Sequence, residues 1–314
     1  MKRPNLFSSS ISFLAGCVSG CGTEFYARRL LSRSSIPGRA RLAMLPAPEK
    51  LLAEGRIDER LGVVVDEGVE LDVWVLRSRA GDATPRGTVL IIHGTWDSKA
   101  RFFGLGERLA EAGFNVILPD LRAHGRSTGE HTTYGALEKH DMKKVVDAVA
   151  GAGRLVEPLY VFGVSMGGAI AVRYAAIDPR CRGVLSVAPY KDARAVVRRL
   201  VPLMSKAKYD AVWARAAEIA GFDPDDTSTT AAAARLACPL VVVHGRLDSL
   251  VPYAHGRAVY DAAPRPKEMI TVPWAGHATI LAAREKWFAE RLAELADGTL
   301  PRKRTAADGP AGTP

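Results

Sequence analysis

From residue 61 onwards, short apolar runs alternate with longer amphipathic segments. Six runs are rich in Val, Ile and Leu and lack the polar alternation of a half-exposed strand: Thr88–Ile92, Asn115–Pro119, Leu159–Val164, Gly183–Val187, Leu240–Val243 and Met269–Val272. Such runs are typical of strands buried on both faces of a parallel sheet. Segments with helical periodicity separate them: Ala100–Ala112, Ala136–Ala150, Met166–Ile177, His255–Ala262 and Thr279–Leu295. The alternation predicts an α/β protein whose mostly parallel sheet is covered by helices on both faces.

Two earlier segments have a different pattern. Gly62–Asp66 and Val69–Leu76 alternate between polar and apolar residues, and Glu67 and Gly68 between them suit a tight turn. This pattern predicts an antiparallel pair of strands. Together with the six buried runs, the pair predicts an eight-stranded sheet.

One stretch interrupts the alternation of strands and helices. Residues 190–236 contain no strand candidate but include amphipathic stretches at Ala193–Lys208 and Asp210–Ile219. We interpret this stretch as a helical cap inserted over the edge of the sheet. The folded domain is therefore predicted to span residues 61–297, and the polar residues 298–314 are predicted to be a disordered tail.

The N-terminus has the features of an export signal. Two basic residues precede a weakly apolar, serine-rich stretch, and the small residues before Cys17 resemble the lipobox of bacterial lipoproteins. Cys21 is a second match to the same loose pattern. Residues 1–21 are thus interpreted as a lipoprotein signal with lipid on Cys17, or alternatively on Cys21. The other interpretation is an uncleaved leader with two chance cysteines. Residues 22–60 are predicted to be a tether with short helices, such as Glu24–Leu31.

A nucleophile motif lies at the end of one predicted strand. Gly163-Val164-Ser165-Met166-Gly167 has the form G-x-S-x-G and separates the run Leu159–Val164 from a helical segment. A sharp strand-to-helix turn needs small residues beside the serine, and it presents the serine hydroxyl at the start of the helix. The interpretation of Ser165 as only a helix N-cap is the alternative.

An acid and a base follow in the order Ser, Asp, His. Asp248 comes just after the run Leu240–Val243, and His277 just after Met269–Val272. Functional groups in such sheets gather beyond the carboxyl ends of the strands, so these side chains can meet. Asp97 and Asp120 also lie near this edge, but Asp248 is preferred because its strand directly precedes the one that leads to His277.

Several motifs together resemble a known family. They are Ile92-His93-Gly94-Thr95, Pro119-Asp120-Leu121-Arg122-Ala123-His124-Gly125-Arg126-Ser127, the serine motif, and the segments around Asp248 and His277. From Leu61 to Leu295 the chain resembles the α/β-hydrolases, in particular the serine-hydrolase branch with monoacylglycerol lipases, BEM46-type hydrolases and other esterase-like members. The family usually has glycine where this chain has Ala123, which puts only a loop conformation in doubt.

This chemistry assigns a role to each group. Ser165 is the nucleophile, His277 transfers its proton, and Asp248 orients the imidazole. The backbone N–H groups of Thr95 and Met166 are the expected oxyanion hole. Trp96 and Tyr190 are candidates for lining the pocket, or are simply core aromatics. His93, His124 and His244 are read as structural, and His131, His140 and His255 as solvated.

Composition narrows the function further. The chain has 314 residues, 47% of them hydrophobic, and a formal net charge of +9, which excludes a disordered chain. Residues 1–60, the segment 190–220 and the tail hold the excess of basic side chains, while the rest of the body is slightly acidic. We therefore expect no nucleic-acid partner. The basic segments either contact an anionic membrane surface or are simply solvated surface.

The number and spacing of the cysteines predict neither a metal site nor a disulfide scaffold. The chain has four cysteines and no C-x-x-C pair or Cys/His cluster, so no metal and no cofactor are predicted. Cys181 and Cys238 begin neighbouring predicted strands and are either buried free thiols or, in an exported protein, a disulfide.

The predicted activity is hydrolysis of a carboxylic ester of a small-molecule or lipid-like substrate. Peptidase, thioesterase and amidase activities use the same three side chains and stay open, as does a lipid-anchored binding protein without catalysis. The expected location is the bacterial cell envelope, with membrane anchoring through lipid, or the cytoplasm if the signal interpretation is wrong.

Overall fold

Within the residues that the structure describes, eight strands form one sheet. The structure is a computed structural model that describes residues 22–32, 36–282 and 284–300; the predicted signal segment and most of the predicted tail lie outside these ranges. The strands are β1 (Glu59–Asp66), β2 (Val69–Leu76), β3 (Thr88–Ile92), β4 (Asn115–Pro119), β5 (Leu159–Val164), β6 (Cys181–Val187), β7 (Leu240–Gly245) and β8 (Lys267–Val272). Their order is β1-β2-β4-β3-β5-β6-β7-β8, and only β2 makes antiparallel pairs, with β1 and β4. The predicted fold class is confirmed.

Helices cover both faces of the sheet because successive strand side chains point to opposite sides. The described helices are α1 (Thr23–Leu31), α2 (Ile36–Met44), α3 (Pro48–Ala53), α4 (Phe103–Glu111), α5 (Glu138–Gly151), α6 (Met166–Ala175), α7 (Ala193–Arg199), α8 (Lys206–Ala220), α9 (Thr229–Ala233), α10 (Tyr253–Ala262) and α11 (Glu285–Ala296). In β3, Leu90 belongs to the apolar core under α5, α6 and α10, while Ile91 belongs to the core under α4 and α11. Among the described residues, no helix is long and apolar enough to cross a bilayer.

The edge of the sheet differs from the sequence pattern. The run Met269–Val272 was expected to be buried on both faces, but β8 is the last strand of the sheet and its side chains are half-exposed or exposed. The predicted helix Thr279–Leu295 is also interrupted: a single 3₁₀ turn, Thr279–Leu281, precedes α11. The apolar side chains of β8, Met269, Ile270 and Val272, are still partly buried against the two cores, which explains the apolar run.

The segment predicted to be a tether packs against the body. In α1, the side chains of Tyr26, Ala27, Leu30 and Leu31 are buried. The helix lies along α8, where Glu24 forms an ion pair of 2.6 Å with Arg215. The short helices expected here are present, and the N-terminal one is anchored by apolar burial rather than exposed as a free tether would be.

The stretch between β6 and β7 contains the helices α7, α8 and α9. Trp213 of α8 is almost fully buried, and its ring contacts those of Tyr134, Tyr209 and Phe222. This aromatic cluster joins the stretch to the loop before α5. The division of the chain into tether, hydrolase domain, cap and tail stays a prediction.

Buried thiols occupy the ends of two neighbouring strands. Cys181 and Cys238 are both free and buried. Burial raises the pKa of Cys238 to about 11 and raises that of Cys181 as well, so neither is a ready thiolate near neutral pH.

Ala123 adopts a backbone conformation that favours glycine. Its φ is 60°, and its N–H donates to Thr128 O at 3.0 Å, which closes the loop after β4. A left-handed conformation costs an L-residue about 1–2 kcal/mol. The glycine that the resembled family usually has at this position would remove that strain.

We expect Ala123→Gly to raise the free energy of unfolding by about 1 kcal/mol, because relief of strain exceeds the added chain entropy. Urea unfolding monitored by circular dichroism measures the change. Ala214→Gly is the matched control: it lies on the exposed side of α8, where the same replacement costs about 1 kcal/mol. Equal losses in both variants would contradict the assignment of strain to Ala123.

His255 is buried although it was predicted to be solvated. Only 8% of the residue is exposed, and Lys191 N donates to its Nδ1 at 3.3 Å. Burial, with the charges of Lys191 and Arg199 adding to it, lowers the pKa of His255 to about 4. His140 is exposed, as predicted, and His131 is half-buried.

This lowered pKa predicts a loss of stability in acid. Because the unfolded chain binds a proton at His255 near pH 6.5 and the folded protein only near pH 4, stability falls as the pH drops through this interval, by up to about 3 kcal/mol. We expect His255→Gln to lose less stability than the unmodified protein between pH 7 and pH 4 in urea titrations. The unmodified protein and the variant share all other histidines, so any difference between their stability profiles is due to His255. Parallel plots of the free energy of unfolding against pH would refute this role of His255.

Candidate active site

Ser165 occupies a strained turn between β5 and α6. Its φ is 57° and ψ −118°, and its N–H donates to Val187 O at 2.8 Å. A Cβ atom on Gly163 would lie 2.1 Å from Gly167 O, and one on Gly167 would lie 2.2 Å from Ile92 O. Both glycines are therefore required by close backbone contact, and the turn lifts the serine side chain towards the carboxyl edge of the sheet.

The structure brings Ser165, His277 and Asp248 into a continuous line of contacts. His277 Nε2 lies 2.9 Å from Ser165 Oγ, and His277 Nδ1 lies 2.7 Å from Asp248 Oδ2. A carboxylate can only accept, so Nδ1 carries the proton and Nε2 is left to accept from the serine hydroxyl. The three side chains come from the loops that follow β5, β7 and β8.

Asp248 is fixed on its other side as well. Its Oδ1 accepts hydrogen bonds from Leu250 N at 3.0 Å and Val251 N at 2.8 Å. Nearby His244 is fully buried and its Nε2 donates to Val251 O at 2.8 Å. Burial lowers the pKa of His244, so it is neutral and does not compete as a cation for the carboxylate.

The other two carboxylates near this edge have different partners. Asp97 Oδ1 forms an ion pair of 2.6 Å with Arg41 Nη1. Asp120 is fully buried, and its Oδ2 lies 2.5 Å from Lys99 Nζ. Asp248 is the carboxylate that contacts His277.

The two residues with the expected oxyanion donors are Thr95, in the loop after β3, and Met166, the first residue of α6 after Ser165. A Cβ atom on Gly94 would lie 3.3 Å from Ser165 Cβ, so the loop that carries Thr95 passes directly beside the serine. The Thr95 hydroxyl donates to Met166 Sδ at 3.1 Å. The side chains of Thr95 and Met166, the two residues whose N–H groups were expected to form the hole, are therefore in contact.

Buried polar groups hold this loop in place. The His93 side chain accepts from Leu121 N at Nε2, 3.0 Å away, and donates from Nδ1 to Gly94 O at 2.8 Å. Burial lowers the pKa of His93, and the neutral ring with one donor and one acceptor fits both contacts. This is the structural role that the sequence suggested for His93.

Lys99 is a supporting residue that the sequence analysis missed. It is 1% exposed, and its Nζ also lies 2.8 Å from Asp72 Oδ1 and 4.8 Å from the centre of the Trp74 ring. Burial acts to raise the pKa of Asp72, but the charges of Lys99 and Arg60 outweigh it and hold that pKa below its ordinary value. Nothing in the local sequence marks Lys99, because its partners are far away along the chain.

A cavity of about 380 Å³ opens at Ser165 and His277. Trp96 and Tyr190, the two candidates from the sequence, both line it. Tyr134 lines it too, and Tyr190 Oη donates to Tyr134 O at 2.8 Å. Trp96 and Tyr134 share with Ser165 a positive φ, of 62° and 54°, so strained backbone is concentrated around the cavity.

Two further cavity residues are arginines that no sequence pattern marks. Arg41 of α2 and Arg101 of the 3₁₀ helix Lys99–Phe102 both line the cavity. In the ranges described, no group of three or more His, Cys, Asp or Glu side chains is arranged to hold a metal ion.

Comparisons with known proteins agree with this architecture. Residues 83–219 match the model of the family described as serine aminopeptidase, S33. The monoacylglycerol lipase of Mycolicibacterium smegmatis is 30% identical over 225 residues, which cover 60% of this chain and 78% of that protein.

Solved structures share the fold. The esterase Pf2001 of Pyrococcus furiosus superposes with a TM-score of 0.63 at 19% identity, covering 86% of this chain and 98% of that one. Est1E of Butyrivibrio proteoclasticus, solved with bound ferulic acid, gives a TM-score of 0.59 at 18% identity, covering 74% and 99% of the two chains. The shared fold and the sequence identity to the lipase show that this chain belongs to the α/β-hydrolase family of serine hydrolases.

Proposed function

We propose that this hydrolase cleaves carboxylic esters through an acyl-enzyme on Ser165. The observation that carries the proposal is the line of contacts from Asp248 Oδ2 through His277 to Ser165 Oγ, at 2.7 and 2.9 Å. Both distances are within the reach that proton transfer between a nucleophile and its base requires.

In the proposed first half-reaction, Ser165 Oγ attacks the acyl carbon while His277 Nε2 takes its proton. The negative charge that develops on the carbonyl oxygen is stabilised by the N–H groups of Thr95 and Met166. The tetrahedral intermediate then collapses, the bond to the alcohol oxygen breaks, and His277 returns its proton to that oxygen.

In the second half-reaction, water attacks the acyl carbon and His277 again acts as the base. The bond to Ser165 Oγ breaks, the proton returns to the serine, and the carboxylic acid leaves. Asp248 stabilises the imidazolium in both halves and does not itself take up a proton. Its two backbone hydrogen bonds support this role, because they hold the carboxylate in a fixed orientation beside His277.

An ester substrate is supported by the walls of the cavity. Val196, Val197 and Leu200 of the stretch between β6 and β7 line it together with Phe102. These apolar side chains suit an acyl chain, and the lipase relative cleaves an ester by its name. The name of the matching family, serine aminopeptidase, favours a peptide substrate as the second candidate.

We expect Ser165→Ala and His277→Ala to lower kcat on 4-nitrophenyl esters by about four to six powers of ten, and Asp248→Asn by about four. A fluorophosphonate probe should label the unmodified protein and Ser32→Ala, a control at an exposed serine, but not Ser165→Ala. Circular dichroism checks that each variant is folded. Labelling or turnover retained by folded Ser165→Ala would refute the assignment.

A substrate panel separates the two candidate functions. We expect 4-nitrophenyl esters of short to medium chain length to be cleaved with a kcat/KM at least about a hundredfold above that for aminoacyl 4-nitroanilides, since the cavity wall is mainly apolar. The reverse order, with Ser165-dependent cleavage of the anilides, would make the protein a peptidase.

We also infer that the protein is exported and anchored by a lipid on Cys17, with Cys21 as the alternative. The support is the sequence pattern alone, because both cysteines lie outside the described residues. Such an anchor would hold the basic N-terminal and α7–α8 segments near an anionic bilayer, where each basic side chain adds to the attraction.

Metabolic labelling with a radioactive fatty acid in a bacterial host tests this anchor. We expect the unmodified protein and Cys238→Ala to be labelled and to enter the detergent phase of Triton X-114, and Cys17→Ala to lose both properties. Loss only in Cys21→Ala would move the lipid to that residue. Membrane association that persists in Cys17→Ala/Cys21→Ala would contradict the anchor.

A further inference from the structure

The cavity beside Ser165 carries an excess of positive charge. Apart from His277, its charged lining residues are Arg41, Asp97 and Arg101. Arg41 and Asp97 neutralise each other through the ion pair of 2.6 Å. Asp97 Oδ1 also accepts a hydrogen bond from Ser98 N at 3.0 Å. The lining therefore has a net charge of about +1 when His277 is neutral.

Arg101 supplies this excess charge. The residue is partly buried, and its guanidinium makes neither a hydrogen bond nor an ion pair with any residue in the described ranges. Guanidinium groups this close to apolar walls normally find a carboxylate, since an unpaired charge is costly to desolvate. An arginine that faces a ligand cavity without a partner is therefore poised to bind an anion from outside the chain.

The backbone under Arg101 is rigid. Its 3₁₀ helix begins at Lys99, whose Nζ is buried between Asp72 and Asp120, and Lys99 N donates to Asp120 Oδ1 at 2.8 Å. This anchoring fixes the helix relative to Thr95 on the same loop. The backbone that carries the guanidinium is thus already held in place, which lowers the entropy cost of binding an anion.

We propose that Arg101 binds an anionic group of the substrate, a carboxylate or a phosphate, so that the enzyme prefers acidic esters over neutral ones. The proposal rests on the ester-hydrolase function proposed above, because the anion is held in the same cavity as Ser165. Arg41 contributes by neutralising Asp97, which would otherwise repel an anionic group.

Two matched pairs of substrates test the preference and distinguish the two sources of negative charge. The first pair places the charge on the acyl side: 4-nitrophenyl hydrogen adipate against its neutral terminal amide. The second places it on the alcohol side: 1-hexanoylglycerol 3-phosphate against 1-hexanoylglycerol. Within each pair the scissile ester is the same, so the ratio of kcat/KM values reports the charge.

We expect the anionic member of at least one pair to have the higher kcat/KM, by about tenfold or more at low salt, as a charge-assisted hydrogen bond provides. The ratio should fall as salt is added. In Arg101→Gln the ratio of kcat/KM values should fall to about one, and in Arg101→Lys it should stay between one and the value of the unmodified protein. The control Arg257→Gln, an exposed arginine paired with Asp261, should leave both ratios unchanged.

The outcomes separate this inference from the proposed function. Ser165-dependent cleavage of the neutral esters, with no preference for the anionic member of either pair, overturns the role of Arg101 and leaves the ester hydrolase intact. A preference that survives in Arg101→Gln overturns it too. Absence of Ser165-dependent cleavage of all four esters refutes the proposed function and this inference together.

Discussion

The left-handed turn at Ser165 holds one hydroxyl at the carboxyl edge of the sheet, and the other parts of the site are arranged around it. The turn is possible only because Gly163 and Gly167 let three stretches of backbone approach within van der Waals contact. The hydrogen bond from Ser165 N to Val187 O ties the strained residue to the next strand. The strained turn is thus supported by β5 and β6, two neighbouring inner strands of the sheet.

A second requirement is that the loop after β3 stay beside this turn. His93 and Lys99 satisfy this requirement through their buried contacts with the loop after β4. These contacts hold the ends of β3 and β4 together. Buried charges such as Lys99 and Asp120 are costly to desolvate, and they add little stability over an apolar pair. Their contacts are directional, and they hold the loop with Thr95 against the loop after β4.

The N-terminal segment contributes more to the site than its composition suggests. Through α1 it packs against α8, and through α2 it places Arg41 at the wall of the cavity. The matching family model begins only at residue 83. This part of the cavity wall is therefore supplied by a segment outside the matched region.

The sequence by itself determined which runs form strands, the serine turn, and the order Ser165, Asp248, His277 along the chain. Strand periodicity and glycine spacing are local properties, so they can be recognised without the tertiary structure. The sequence also indicated Trp96 and Tyr190, though without deciding between a cavity and a core. The tertiary structure alone decided that β8 is a half-exposed edge, that α1 is buried, and that Asp97 and Asp120 pair with Arg41 and Lys99. It alone revealed Lys99, Arg41 and Arg101, since each acts through contacts with residues distant along the chain, and no local pattern encodes such contacts.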